Sequence, residues 1–323
     1  MYDLCAIGDA LVDFIPAPQY TPENPVYQCE AGGTVANLLT AGSKLGLNTV
    51  FVGKIGADCM GELVRNKMQG CGVSMEGCVM DPMHFTTQSF VSLGENGERS
   101  FSFCRSFGAD IWLKEDEIPM KVLEQSSMLG FSGMCMTDDP VRQATWTLLR
   151  AAKRKSIPIV LDINYRDKLW QNEKEMIHIM RETLSYVTLY KSSEEEAFLL
   201  TGTEDLRKAA KIICGFGCRD IIITLGQKGA YFYSGGKDGL IPAYRVEAVD
   251  TTGAGDSFFA AVLHQIVQRG GIEKITGTDY SDILKFANGV GALATTKRGG
   301  IKGSPTLREA EEFLKLHNNE ISS

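Results

Sequence analysis

The sequence predicts an α/β fold: a doubly wound, mostly parallel sheet with helices on both faces, accompanied by a small β-sheet lid. Two observations carry this reading. Short β-prone apolar runs alternate with longer segments of helical period, the order expected when parallel strands are joined by covering helices. Parts of residues 11–30 and 85–105 break that period with Pro, Gly and alternating apolar residues, which marks a β excursion outside the main sheet. A 323-residue chain that is 44% hydrophobic can bury a large core. With no internal repeat, low-complexity tract or Pro- or Ser-rich linker, residues 1–323 read as one domain carrying the lid.

The clearest strand runs are residues 4–7, 49–52, 157–162, 187–191 and 221–225. In the lid, Phe90, Val91, Leu93, Phe101 and Phe103 alternate, and Gly94, Asn96 and Gly97 supply the tight-turn chemistry of a hairpin between two strands. After Asp256, the residues Phe259, Val262, Leu263, Ile266 and Val267 fall at i, i+3, i+4, i+7 and i+8, one buried helical face.

Charge excludes several functions. The 33 basic and 40 acidic residues give a net charge of -7 with no long basic run, which argues against nucleic-acid and anionic-membrane partners. The N-terminus has no basic leader, and no stretch approaches the roughly 18 consecutive apolar residues of a membrane span. A soluble, cytoplasmic protein is expected. Its nine scattered cysteines, without a CxxC pair, read as reduced packing residues.

The stretch 249–263, VDTTGAGDSFFAAVL, carries the chemistry. Gly253 and Gly255 allow successive backbone N–H groups to converge on one point, and the positive end of the following helix adds to it, making an anion site. Asp256 sits at its mouth. An Asp before an apolar helix is ordinarily an N-cap. Yet a carboxylate beside an oxyanion cradle is also what hydroxyl-to-phosphate transfer needs: a base for the nucleophile and donors for the developing charge. No GxxxxGK[ST] occurs, and no GxGxxG follows the first strand.

DTTGAGDSFFAAVL resembles the second signature of the ribokinase-like (PfkB) carbohydrate kinases, and residues 31–61, AGGTVANLLTAGSKLGLNTVFVGKIGADCMG, resemble the first. The resemblance spans essentially the whole chain. It implies Asp256 as general base and an anion hole at Gly253, Ala254, Gly255 and Asp256. It implies sugar contacts from Asp13, Gly32, Gly33 and Asn37, whose fixed donors and acceptors suit a polyol. KSSEEEAFLLTG, residues 191–202, is similar to the family's Asn-x-x-Glu region; it brings Lys191 to the ATP side and Glu196 to the Mg2+ water network, although Ser193 replaces the Asn. ITLGQKGA implies nucleotide contacts from Thr224, Gly226 and Gly229, and FANGVGALATTKRGG implies an adenine-side contact from Asn288. Asp250 and Thr252 are the implied candidates for a K+ site.

The segments 162–170, 103–110 and 299–314 look most like bacterial fructokinases and in part like 2-keto-3-deoxygluconate kinases, so fructose leads among expected substrates. Arg105 and Arg166 fit a substrate carboxylate, a hydroxyl network or ATP phosphate equally, which keeps sugar acids open. Arg105 is expected to reach the sugar from the lid. The lid's apolar faces also predict a homodimer. A sugar-sensing binding protein on the same fold has no need of the base in Gly-Ala-Gly-Asp, and a dinucleotide oxidoreductase lacks its Gly fingerprint here.

Overall fold

In chain order the strands are β1 (Leu4–Ile7), β2 (Leu11–Pro16), β3 (Tyr27–Gly32), β4 (Thr49–Gly56), β5 (Ser74–Asp81), β6 (Gln88–Leu93), β7 (Arg99–Cys104), β8 (Leu129–Ser132), β9 (Ile159–Asp162), β10 (Leu189–Ser193), β11 (Asp220–Thr224), β12 (Ala230–Ser234) and β13 (Lys237–Ile241). The structure, a computed structural model, describes residues 1–317 apart from residue 22 and residues 94–98.

Nine strands form one sheet in the order β13-β12-β11-β10-β9-β8-β1-β4-β5, parallel from β11 to β5 and antiparallel only at the β11-β12-β13 edge. Both faces are covered, and the strands show it in their residues. Leu4 and Ala6 of β1 enter one core while Cys5 and Ile7 enter the other. Such two-sided burial turns parallel strands into continuous apolar runs, which is why these segments stood out in the sequence. The strand starts differ slightly from expectation. The 157–162 run begins its pairing only at Ile159, after Pro158, a residue without an N–H for the ladder. The 187–191 run is displaced to Leu189–Ser193.

From β1 the chain winds through β4 and β5 to one side, then returns through β8, β9, β10 and β11 on the other. The direction reverses between β1 and β8, and open α/β sheets bind ligands in the crevice at the carboxyl ends of strands beside such a reversal. Two helices on the same face begin there, Thr34–Lys44 and Ala254–Gln268. They pack together through the shared core, where Val35 and Leu39 join Phe259, Val262 and Leu263. The apolar stripe after Asp256 is thus the buried face of the second helix, with Val267 only partly buried at its end.

The remaining four strands form a separate sheet in the order β3-β2-β6-β7, drawn from the two segments whose helical period is broken. β2 pairs antiparallel with β3 and parallel with β6, so the two pairs join through β2 and β6. Alternation along β2 turns Leu11 and Asp13 toward the crevice and places Phe14 against Phe90, stacked 4.8 Å away. The expected turn residues Gly94, Asn96 and Gly97 lie outside the described residues. Among the described residues, no helix is long and apolar enough to cross a membrane.

Candidate active site

The crevice holds a cavity of about 530 Å³ bounded by the four-stranded sheet, the turns after β1 and β9, and the segment from Ala248 to Asp256. Its floor is the start of the Ala254–Gln268 helix. Gly253 is the N-cap, in left-handed conformation with φ of 74°, and makes no side-chain cap bond. A Cβ there would come within 2.6 Å of the Gly300 Cα, so the turn needs glycine for both conformation and space. Asp256 is therefore in the first helical turn and is not the N-cap. The Ala254 N–H donates to the Thr251 carbonyl at 3.2 Å, whereas the first-turn N–H groups of Gly255 and Asp256, two residues that line the cavity, have no acceptor inside the helix at its positive dipole end.

Asp256 takes its hydrogen bond from across the fold. Asn37, in the first turn of the Thr34–Lys44 helix, donates from Nδ2 to Asp256 Oδ2 at 2.9 Å. Burial pushes the Asp256 carboxyl up to about 7; the charges of Asp162 and Asp9 add to the rise, while Lys191 and the Asn37 bond oppose it. A carboxylate with that affinity accepts a proton near neutral pH without holding it, which is the requirement for a general base.

Asp13 projects from β2 into the cavity, close enough to β3 that a Cβ on Gly32 would sit 2.5 Å from Asp13 Oδ2. Gly33 caps the Thr34–Lys44 helix, and Arg166 enters from the loop after β9. Asp250 accepts from Thr252 N and Gly299 N, both at 2.9 Å, which ties the glycine turn to the loop before Gly300. Lys191 lines the wall beside Asp256.

Other expected residues stand back from the cavity. Glu196 accepts from the amides of Ser193 and Tyr165, both at 2.7 Å, so it closes a capping box and braces the loop that carries Asn164 and Arg166. Thr224 ends β11 and bonds Ser192 O, and Gly226 and Gly229 bracket the turn before β12. Asn288 donates from Nδ2 to the carbonyls of Ile241 and Pro242, bracing the end of β13. These groups sit at the ends of strands β10 to β13 and are not among the residues lining the cavity.

Arg105 departs from expectation. It is buried just beyond β7, with Nε 2.7 Å from Asp110 Oδ2, one NH group on Thr137 Oγ1 and the other on the Met134 carbonyl. Its guanidinium anchors the root of the four-stranded sheet and does not line the cavity; the buried carboxylate five residues on holds it there.

Two carboxylates escaped the sequence reading. Asp9 follows β1, accepts from Thr34 N at 2.7 Å and from Ser132 Oγ, and has its pKa raised by burial. Asp162 is the last residue of β9 and pairs with Lys191. Each stands at the carboxyl end of a central strand, a position that itself points to the ligand crevice.

Residues 1–307 match the family described as pfkB family carbohydrate kinase. The chain belongs to that family. This kinase is 32% identical over 315 residues to probable fructokinase-4 of Arabidopsis thaliana, covering 97% of this chain and 96% of the relative. It is 33% identical over 324 residues to fructokinase-2 of Oryza sativa subsp. japonica, covering 97% and 94%. Among solved structures it resembles a fructokinase with bound ATP from Xylella fastidiosa, with TM-score 0.86, 26% identity and coverage of 98% and 99%. A putative ribokinase II from E. coli in complex with ATP and Mg2+ superposes with TM-score 0.87 at 25% identity, covering 98% and 100%. The kinase is an ATP-dependent sugar phosphotransferase, and the doubly wound sheet with its small companion sheet is the architecture of these neighbours.

If Arg105 anchors Asp110, Arg105→Ala will lower stability by roughly 3–5 kcal/mol, the scale of removing one partner of a buried ion pair. Sugar KM in the folded enzyme will stay unchanged. Urea unfolding beside steady-state kinetics checks this; intact stability with a raised sugar KM would place Arg105 in the sugar site after all.

Proposed function

We propose that this kinase transfers the γ-phosphoryl group of ATP to fructose, giving fructose 6-phosphate. The observation that carries the reading is the Asp256 carboxyl, held near pKa 7 directly beside the amides of a glycine-capped helix start. Asp256 removes the proton of the sugar hydroxyl as its oxygen bonds the γ-phosphorus. The bond from phosphorus to the bridging oxygen of ADP breaks, and the charge on the phosphoryl oxygens meets the amides of Gly253 to Asp256. The four-stranded sheet acts as a lid that excludes water, which otherwise competes for the phosphoryl group.

The sugar lies against Asp13, Gly32, Gly33, Asn37 and Arg166. A neutral sugar fits better than a sugar acid, because the wall presents Asp9, Asp13 and Asp250 with Asp256, against only Lys191 and Arg166 among the described residues. The curated relatives named fructokinase support fructose. Lys191, Thr224, Gly226 and Gly229 take the nucleotide, and Asn288 shapes the adenine side through β13.

Mg2+ would enter on the ATP phosphates. No group of three or more His, Cys, Asp or Glu side chains among the described residues is arranged to hold a metal. That suits an ion which keeps its waters and binds through substrate phosphates, with Glu196 reached through water. Bound so, it neutralises charge on the transferring group. Carbonyls of the turn organised by Asp250 and Thr252 would take K+.

Coupled ADP release should be fastest with fructose in a panel that includes ribose, sugar acids and nucleosides; fastest turnover of a sugar acid would overturn the substrate assignment. Asp256→Asn should lower kcat at least 100-fold, the lower range of general-base catalysis, while calorimetry shows ATP affinity nearly intact. A variant keeping more than about a tenth of wild-type kcat would remove Asp256 as base.

A further inference from the structure

Against the glycine turn lies the segment of residues 299–304, which contains the four-residue helix Gly300–Gly303. It meets the start of the Ala254–Gln268 helix at three points. Gly299 N donates to Asp250 Oδ2 at 2.9 Å, and the Gly300 Cα sits where a Cβ on Gly253 would be 2.6 Å away. The Ser304 hydroxyl lies 2.9 Å from that of Ser257, the residue after Asp256. Lys44, the last residue of the Thr34–Lys44 helix, ties the same segment down, donating from Nζ to the carbonyls of Ile301 at 2.5 Å and Ser304 at 2.9 Å. Backbone held at so many points has little freedom to open locally, so a side chain leaving it starts from a fixed position.

Lys302 is such a side chain. Its Nζ donates to Glu30 Oε1 at 2.5 Å, across 272 residues of sequence. Glu30 is on β3 directly opposite Asp13 on β2, so the two carboxylates leave the same face of the small sheet side by side. Like charges placed so work against the strand pairing, and the Lys302 ammonium offsets that repulsion. Both members of the ion pair keep contact with solvent, at 57% exposure for Lys302 and 24% for Glu30. A pair that exposed contributes little to stability. Its endpoints are more informative, because it joins the small sheet to the segment that backs the anion hole.

We propose that Lys302 and Glu30 form a latch: they are positioning residues that hold the four-stranded sheet over the sugar, aligned with the anion-hole turn. The proposal rests on the reading of that sheet as a lid. A weak pair suits the task, since the sheet must release product in every turnover and an exposed ion pair shifts a closed-to-open ratio by only about fivefold at most. With the latch engaged, Asp13, the cross-strand neighbour of Glu30, is held against the sugar and water is kept from the γ-phosphate. With it lost, the sheet stands open longer, the sugar binds less well and water takes part of the phosphoryl flux.

The test compares Lys302→Gln, Glu30→Gln, the double variant and Lys302→Arg, with ADP and sugar phosphate measured separately. Each single Gln variant should raise sugar KM about two- to fivefold, leave kcat and the KM for ATP nearly unchanged, and release more ADP than sugar phosphate. The double variant should lose no more than the worse single, because both remove one interaction. Lys302→Arg keeps the charge and should behave as wild type. Choline chloride at fixed K+ should raise the wild-type sugar KM toward that of the Gln variants and leave theirs in place, since salt screens a charge pair only where one exists. Amide exchange in β2 and β3 of the sugar-bound Gln variants should quicken, with the Ala254–Gln268 helix unchanged. Losses that multiply in the double variant would overturn the latch, as would Gln variants with lowered Tm but wild-type sugar KM and equal ADP and sugar phosphate. A wild type whose β2 and β3 amides exchange alike with and without sugar would overturn the lid reading and the latch with it. Wild-type enzyme that turns over no sugar with ATP would instead overturn the proposed function.

Discussion

The site depends on one hydrogen bond between two helix beginnings, Asn37 Nδ2 to Asp256 Oδ2. Helix starts attract anions and ordinarily lower carboxyl pKa values. Here Asp256 is instead pushed upward, because burial and neighbouring carboxylates disfavour its charge. The Asn37 bond keeps that destabilised group in one orientation without adding a full charge that would compete for phosphate. Since the folded pKa lies above the usual 3.8, ionising Asp256 works against folding as pH rises from about 4 through 7. The shared core behind the Thr34–Lys44 and Ala254–Gln268 helices supplies the rigidity that holds a group in so unfavourable a state. The raised proton affinity of Asp256 and the local instability thus have the same origin.

What was legible in the sequence was local. Gly253, Gly255, Asp256 and the apolar stripe that follows are contiguous, so turn chemistry, helix start and buried face could be read from one short segment. The central strands were legible because burial on both faces writes them as apolar runs. The strands of the smaller sheet were legible as alternation, but their order was not: β2 beside β6 joins segments more than seventy residues apart, and alternation does not encode the partner.

The rest depended on distance. Asn37 and Asp256 are 219 residues apart, and only resemblance to a known family brought Asn37 to the site. Asp9 and Asp162 went unread because each sits at the end of a strand whose neighbours across the sheet come from far along the chain. Arg105 was misread for the opposite reason. Its alternating surroundings pointed to a sheet edge facing the sugar, whereas Asp110, close in sequence, captures the guanidinium in the interior. A buried carboxylate within reach decides an arginine's direction more firmly than strand alternation does. Nearby groups also set the direction of Glu196, whose carboxylate accepts from two backbone amides.

Whether the fold itself makes Asp256 a neutral-pH base can be read from the titration of its carboxyl. Carboxyl carbon-13 NMR of aspartate-labelled enzyme, with the Asp256 signal assigned by its absence in Asp256→Asn, measures this directly. A titration midpoint of about 7 in the free enzyme is expected. A midpoint near 4, the ordinary value for an aspartate, would contradict it.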